Sequence, residues 1–259
     1  MMSREADSMD DSADLPIPRD DWAFFLDVDG TLVGIAETPT AVTVDAEAIA
    51  ILHGLMRRFG GAVALVSGRP LAELDRLFAP LRLPAGGLHG HERRSATGTT
   101  VRSPVHDSIV AAARETLRSV EQKFPGVLLE DKGASLALHY RQAPEREAEV
   151  LDAARDTVAR SAGGLILLVG KKVAELRQPG PSKGDVVAQF MTEAPFRGRI
   201  PVFIGDDVTD EHGFRAVNAM GGHSIRIGAA GVGAARHCLK DVAELRRWLH
   251  RLVEGGKNA

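Results

Sequence analysis

Apolar residues along this chain follow two rhythms. Short unbroken runs, Ala23-Phe24-Phe25-Leu26, Val63-Ala64-Leu65-Val66 and Pro201-Val202-Phe203-Ile204, are too short for helices and read as strands buried on both faces. Between them, apolar side chains recur every three or four positions. Ile49, Leu52, Met56 and Phe59 share one face of a helix from Asp45 to Phe59, and Leu71, Leu74, Leu77 and Phe78 mark another after strand 62–66. The alternation covers residues 22–105, resumes at Ser182 and ends in a terminal helix carrying Val242, Leu245, Leu249 and Leu252. It predicts an α/β fold with a doubly wound parallel sheet and helices on both faces.

The middle of the chain breaks this rhythm. Residues 106–124 read as a helix (Ile109, Ala113, Leu117, Val120, Phe124), then strands Val127 to Glu130 and Ala134 to Tyr140 meet at Asp131-Lys132-Gly133. A second helix over 144–160 is followed by strands Leu165 to Val169 and Lys172 to Arg177, joined at Gly170-Lys171. The order αββαββ repeats one topology twice, and its short hairpins require antiparallel pairing. This predicts an inserted α+β cap domain at 106–178, a core formed by 22–105 and 179–259, and a flexible acidic leader at 1–21, where seven acidic and two basic side chains have little to bury. Along 134–140, Leu136, Leu138 and Tyr140 should face the cap helices. Ser135, Ala137 and His139 should then lie on the open face, with His139 able to touch a ligand.

Composition narrows the class. With 259 residues, 44% hydrophobic and 26% charged, the chain can bury a substantial core. A net charge of -3 gives no electrostatic case for nucleic acid or an anionic membrane. No apolar stretch approaches the ~18 residues of a membrane span, and the acidic start lacks a signal peptide's basic and apolar regions. Cys238 is the single cysteine, so an intrachain disulfide is impossible, and the default expectation is a cytoplasmic protein.

Candidate chemistry collects where the apolar runs end, the edge at which open α/β sheets bind ligands. The first run stops at Asp27-Val28-Asp29-Gly30-Thr31. Two carboxylates two residues apart share a strand face unless the chain turns between them, and they repel unless a cation intervenes or one is protonated. Magnesium is the expected cation, a hard ion that takes carboxylates, waters and phosphate oxygens. Taken alone, Asp-x-Asp-Gly is equally a strand end with a turn. Strand 62–66 stops at Ser67-Gly68-Arg69-Pro70, whose hydroxyl and amides suit a phosphoryl group. Ser182-Lys183-Gly184 opens a helix, placing Lys183 where the N-terminus already favours anions. The run at 201–204 ends in Gly205-Asp206-Asp207-Val208-Thr209-Asp210-Glu211, a second acidic cluster.

In this order, Asp27 to Thr31, Ser67, Lys183 and Gly205 to Asp210 resemble the four motifs of the haloacid dehalogenase superfamily of phosphotransferases. The resemblance implies a core of that type, with Asp27 as the nucleophile that forms an aspartyl phosphate and Asp29 as acid, then base. It implies magnesium held by the side chain of Asp27, the backbone carbonyl of Asp29 and the carboxylate of Asp206. Ser67 and Lys183 would stabilise phosphate, while Asp207 and Asp210 would orient water ligands and Lys183.

A closer resemblance covers roughly Trp22 to Leu252. Gly87-Leu88-His89-Gly90-His91-Glu92-Arg93-Arg94, Glu130-Asp131-Lys132-Gly133, Ala137-Leu138-His139-Tyr140-Arg141 and the acidic motif look like those of bacterial trehalose-6-phosphate phosphatases. It implies that Glu130, Lys132 and Glu175 bind the glucose ring remote from the phosphate, with Gly68 and Arg69 beside the phosphate. It also implies trehalose 6-phosphate as the small-molecule substrate and a trehalose-6-phosphate synthase as a functional partner. Gln178 stands where a basic residue before proline is expected, and Arg177 is the candidate replacement. His89 and His91 read as structural rather than as a metal pair. The alternatives are a phosphatase for another sugar phosphate, such as sucrose 6-phosphate or a hexose 6-phosphate, and a non-catalytic sensor. The presence of Asp27, Asp29, Lys183 and Asp206 argues against the sensor.

Overall fold

A computed structural model of the protein describes residues 15–229 and 232–255. The chain runs through β1 (Trp22–Leu26), α1 (Ala46–Arg58), β2 (Val63–Val66), α2 (Leu71–Leu77), β3 (Ala85–Gly87), β4 (Glu92–Arg94) and β5 (Thr100–Arg102). An insert follows, with α3 (Asp107–Lys123), β6 (Leu128–Asp131), β7 (Ser135–His139), α4 (Glu147–Arg160), β8 (Ile166–Gly170) and β9 (Val173–Arg177). The chain then returns through α5 (Lys183–Phe190), β10 (Ile200–Gly205), α6 (Glu211–Ala219), β11 (His223–Ile227), β12 (His237–Leu239) and α7 (Val242–Gly255).

The larger sheet has the order β12-β11-β10-β1-β2-β3-β4-β5, parallel from β12 to β3 and antiparallel at β4 and β5. β1 lies near its centre and is fully buried, which explains its unbroken apolar run. Trp22, Phe24 and Leu26 pack into one layer with Leu52 and Leu55 of α1 and Trp248 and Leu249 of α7. Ala23 and Phe25 enter the opposite layer with Val186 and Phe190 of α5 and Phe214 of α6. The α/β reading of the sequence therefore holds. The antiparallel edge of β3, β4 and β5 went unread because Ala85-Gly86-Gly87 is not an apolar run and β5 is wholly exposed.

The insert forms a separate four-stranded antiparallel sheet in the order β6-β7-β9-β8. Leu136, Leu138 and Tyr140 pack with Leu117 and Val120 of α3 and Val150 and Ala154 of α4. That fills one face of the sheet and leaves the other to look towards the carboxyl ends of β1, β2 and β10. Of the expected leader, residues 1–14 lie outside the described residues. Leu15 packs against the core and Arg19 pairs with Asp21. Among the described residues, no helix is long and apolar enough to cross a membrane.

Candidate active site

The chain turns sharply once β1 ends. Asp27 N–H still donates to Ile204 O at 2.9 Å, but the carbonyl of Val28 then accepts from Leu32 and Val33, each at 3.0 Å. This tight turn separates the two carboxylates. Asp27 stays buried, while Asp29 swings out to a bidentate ion pair with Arg69, at 2.6 Å from Nε and 2.7 Å from Nη2. Gly30 takes φ +82° in the turn, and a Cβ there would collide with the Asp206 carboxylate. The turn and the acidic site thus need the same glycine.

The Asp27 carboxylate is held from two sides. Lys183 Nζ donates to its Oδ1 at 2.7 Å and to Asp210 Oδ1 at 2.6 Å, while Thr31 Oγ1 donates to Asp27 Oδ2 at 3.2 Å. Lys183 stands at the first turn of α5, whose start is fixed by a reciprocal cap between Ser182 and Asp185. Asp210 folds back under the end of β10, where its Oδ2 accepts from the backbone N–H of Asp206 and of Asp207, both at 3.0 Å. A side chain at Gly205 would fill the space this carboxylate occupies.

Carboxylate oxygens of Asp27, Asp206 and Asp210 lie within 4.8 Å of one another. The carboxylates that cluster are those of Asp27, Asp206 and Asp210, while the Asp29 carboxylate is turned to Arg69, in keeping with an expected contribution through its backbone carbonyl rather than its side chain. Burial pushes the Asp27 carboxyl well above its usual range, Asp210 and Asp206 add to this, and Lys183 offsets only part. Burial would depress Lys183, but Asp210 and Asp27 reverse this and hold it far above the usual lysine range. Asp206 is also raised, chiefly by burial, and its Oδ1 is buried without a hydrogen-bond partner. An all-carboxylate donor set with an orphan oxygen fits a hard, oxygen-seeking cation.

Ser67 follows β2, buried, with its Oγ accepting from Arg69 N–H at 3.2 Å. Arg69 is not free to clamp a ligand alone: besides Asp29 it pairs with Glu73 and donates to Pro39 O. On the insert, Lys132 Nζ lies 3.6 Å from Glu130 and 3.7 Å from Glu175, so the three expected residues do meet. Burial would raise Glu175, yet Lys132 and His89 hold it well below the usual carboxylate range. Burial opposes ionisation of Glu130 as well, and its hydrogen bond to His139 and the charge of Lys132 prevail. Ser135 Oγ donates to Glu175 at 2.7 Å and His139 Nε2 lies 2.8 Å from Glu130, which places the open-face residues as the strand period required.

One cleft takes in both sheets, lined by Asp27, Asp29, Ser67, Gly68, Arg69, Lys183, Asp206 and Asp207 from the core and Glu130, Lys132, His139 and Glu175 from the insert. Two contacts bridge it, His89 Nε2 to Glu175 Oε2 at 2.9 Å and Lys171 Nζ to Asp206 Oδ2 at 2.5 Å. Neither was anticipated. Leu88 and His89 both take positive φ, 48° and 55°, a backbone kink that no side-chain pattern announces. Arg177 points elsewhere, to His91 and the carbonyls of Gln178 and Pro181, and does not line the cleft. His91 accordingly serves the junction between core and insert, with Gln178 tying that junction to His106.

A mainly parallel sheet with an insert facing its carboxyl edge is the fold of a phosphatase of the haloalkanoate (HAD) enzyme superfamily from Bacteroides thetaiotaomicron, with TM-score 0.58 at 17% identity over 95% of this chain and 100% of that one. The chain belongs to the trehalose-phosphatase family, whose model matches residues 25–240. It is 46% identical over 213 residues to a probable trehalose-phosphate phosphatase of Sinorhizobium fredii, covering 81% of this chain and 78% of the relative. It is 42% identical over 232 residues to the trehalose-6-phosphate phosphatase of Escherichia coli, covering 90% of this chain and 86% of the relative. The fold is also that of the C-terminal domain of C. albicans trehalose-6-phosphate phosphatase, with TM-score 0.82 at 19% identity over 90% of this chain and 92% of that one.

Proposed function

We propose that the protein is a magnesium-dependent phosphatase that hydrolyses trehalose 6-phosphate to trehalose and phosphate through an aspartyl phosphate on Asp27. The observation that carries this reading is the single cleft in which Asp27, Lys183 and the aspartates of β10 face Glu130, Lys132 and Glu175 of the insert. One end suits a phosphoryl group. The other offers ionised carboxylates as acceptors and an ammonium as donor, a set matched to sugar hydroxyls.

Asp27 and Asp206 carboxylates, with the backbone carbonyl of Asp29, would hold the cation, whose chemistry is to neutralise charge on the transferring phosphoryl group. Lys183 keeps Asp27 oriented, and its charge favours the ionised, nucleophilic form. An oxygen of Asp27 attacks phosphorus, the sugar alkoxide leaves, and Asp29 delivers the proton that this leaving group needs. Both Asp29 oxygens pair with Arg69 in the structure, so Asp29 frees one of them from the guanidinium to carry that proton. Water then cleaves the acyl phosphate, with Asp29 taking its proton. Ser67 and the amides of Gly68 and Arg69 bind peripheral phosphate oxygens, and Asp207 and Asp210 orient the acidic loop and Lys183.

Residues 106–178 act as a cap on this reading, and binding of the distal glucose to Glu130, Lys132 and Glu175 draws it onto the core. The substrate would come from a trehalose-6-phosphate synthase. The test is to quench the protein during turnover with magnesium and trehalose 6-phosphate and map phosphate by mass spectrometry. A phosphate mass on the Asp27 peptide, absent from Asp27→Asn, is expected; rapid phosphate release with no such adduct and full activity in Asp27→Asn would refute the mechanism.

A further inference from the structure

The insert hangs from the core by two linkers, residues 103–106 between β5 and α3 and residues 178–182 between β9 and α5. A body carried on two irregular stretches of chain can rock and shear against its neighbour unless the stretches are tied together. One side chain ties them. Gln178 Oε1 accepts from the backbone N–H of His106 at 2.9 Å, and its Nε2 donates to His106 O at 3.0 Å. The carboxamide thus exchanges both hydrogen bonds with a single residue, as paired residues do across an antiparallel ladder. His91, just before β4, holds both linkers to the core: its Nε2 lies 3.2 Å from Gln178 O, and its own carbonyl accepts from Ser103 N–H at 2.7 Å. Its ring lies so close to Gly180 that a Cβ there would overlap it. Pro179 and Pro181 fix their own φ angles and stiffen the second linker.

A buried glutamine in a connecting segment is commonly a satisfied polar residue and nothing more. Position distinguishes this one. Gln178 is 3% exposed, stands outside the cleft and directly follows β9, three residues after Glu175. Glu175 pairs with Ala137 of β7, and Ala137 with Glu130 of β6, so the two carboxylates lie in one row across the sheet. Glu175 is about 10 Å along the strand from Gln178. A rock of about 6° at the linkers would displace it by about 1 Å, enough to spoil a binding geometry.

We propose that Gln178 is a positioning residue for the sugar end of the cleft: by clasping His106 it makes the two linkers one joint and keeps the row of Glu130 and Glu175 in register with Asp27. The proposal rests on the reading that insert and core grip the same substrate molecule. A substrate that spans both bodies feels the joint, whereas a phosphate ester that touches only the core does not. Without the clasp the insert samples poses in which its carboxylates miss the glucose, and the binding-competent fraction falls.

The test uses Gln178→Met, which keeps the length of the side chain and removes both hydrogen bonds, and Gln178→Glu, which sets an oxygen against His106 O. Both are compared with the wild type for turnover of trehalose 6-phosphate and of p-nitrophenyl phosphate in magnesium, and for amide hydrogen exchange of the peptide carrying His106. Each variant is expected to raise KM for trehalose 6-phosphate roughly tenfold, the scale of two neutral hydrogen bonds, and to speed exchange at His106. Turnover of p-nitrophenyl phosphate should stay within about twofold of wild type. Unchanged KM for trehalose 6-phosphate in both variants would overturn the proposal, as would unaltered exchange at His106. Equal losses on the two esters would also overturn it, because they would make Gln178 a general stabiliser. If the wild type itself releases no phosphate from trehalose 6-phosphate, the functional reading fails; if it does and Gln178→Met matches it, this proposal alone fails.

Discussion

Replacing Lys183 by Met removes the cation between two of the most buried carboxylates in the molecule. Lys183, Asp27 and Asp210 side chains are 3%, 6% and 0% exposed, and the two contacts are 2.7 and 2.6 Å. Breaking a buried ion pair by deleting one partner costs about 3–5 kcal/mol, because the remaining charge stays desolvated. For a protein of this size that is a fall in Tm of roughly 6–20 °C. The pH dependence follows from the signs. Lys183 has a raised folded pKa, so its contribution is fully present below the usual lysine value and is lost only at strongly alkaline pH. Asp27 is raised too, so its stabilising contribution is present below the usual carboxylate value and is lost as pH climbs through its elevated folded pKa. Without the ammonium, Asp27 loses the partner that lowers it and the charge of Asp210 pushes its carboxyl further up. The deficit of Lys183→Met should therefore be largest near pH 8 and shrink towards pH 5 as protons replace the lost charge. Thermal unfolding of both proteins in EDTA at the two pH values measures it. A Tm within about 2 °C of wild type at pH 8, or a deficit that grows on acidification, would refute the reasoning.

Other substitutions separate the two ends of the cleft. Glu130→Ala should raise KM for trehalose 6-phosphate by roughly tenfold or more, as expected for one charge-assisted hydrogen bond, and leave p-nitrophenyl phosphate turnover nearly intact; equal loss on both substrates would contradict a sugar-binding role. Asp206→Asn removes a carboxylate raised chiefly by burial, so in EDTA at pH 8 the variant should melt at or above the wild-type temperature, and magnesium should no longer raise its Tm. An undiminished magnesium shift in that variant would remove Asp206 from the cation site. Phe25→Ala, which opens a cavity beside Phe196 and Phe190 under β1, should lower stability by about 3–5 kcal/mol in urea titration without changing KM.

What could be read from the chain is what period and strand ends encode. β1, β2 and β10 were visible as unbroken apolar runs because helices cover both faces of the sheet, and the insert was visible because αββαββ repeats within it. Asp27 and Asp29 share one face only in a continuing strand, and the sequence leaves open whether the chain turns between them. The Val28 carbonyl instead gathers the N–H groups of Leu32 and Val33, and the turn sends Asp29 to Arg69. Asp210 was read as an orienting group. Its return to the backbone of Asp206 and Asp207 depends on the capped turn after β10, a tertiary contact without periodicity. His89 and Lys171 reach the cleft from opposite sides of the junction between core and insert. Pairings such as His89 with Glu175, 86 residues apart, are invisible to local pattern.

The most direct test of the central claim is phosphate release, with magnesium, from trehalose 6-phosphate, sucrose 6-phosphate and glucose 6-phosphate under identical conditions. A preference for the trehalose ester of ~10²-fold or more in kcat/KM, about 2.7 kcal/mol of transition-state discrimination, is expected if Glu130, Lys132 and Glu175 read the distal glucose. Comparable kcat/KM on all three esters would contradict that assignment and leave a sugar-phosphate phosphatase of broad range.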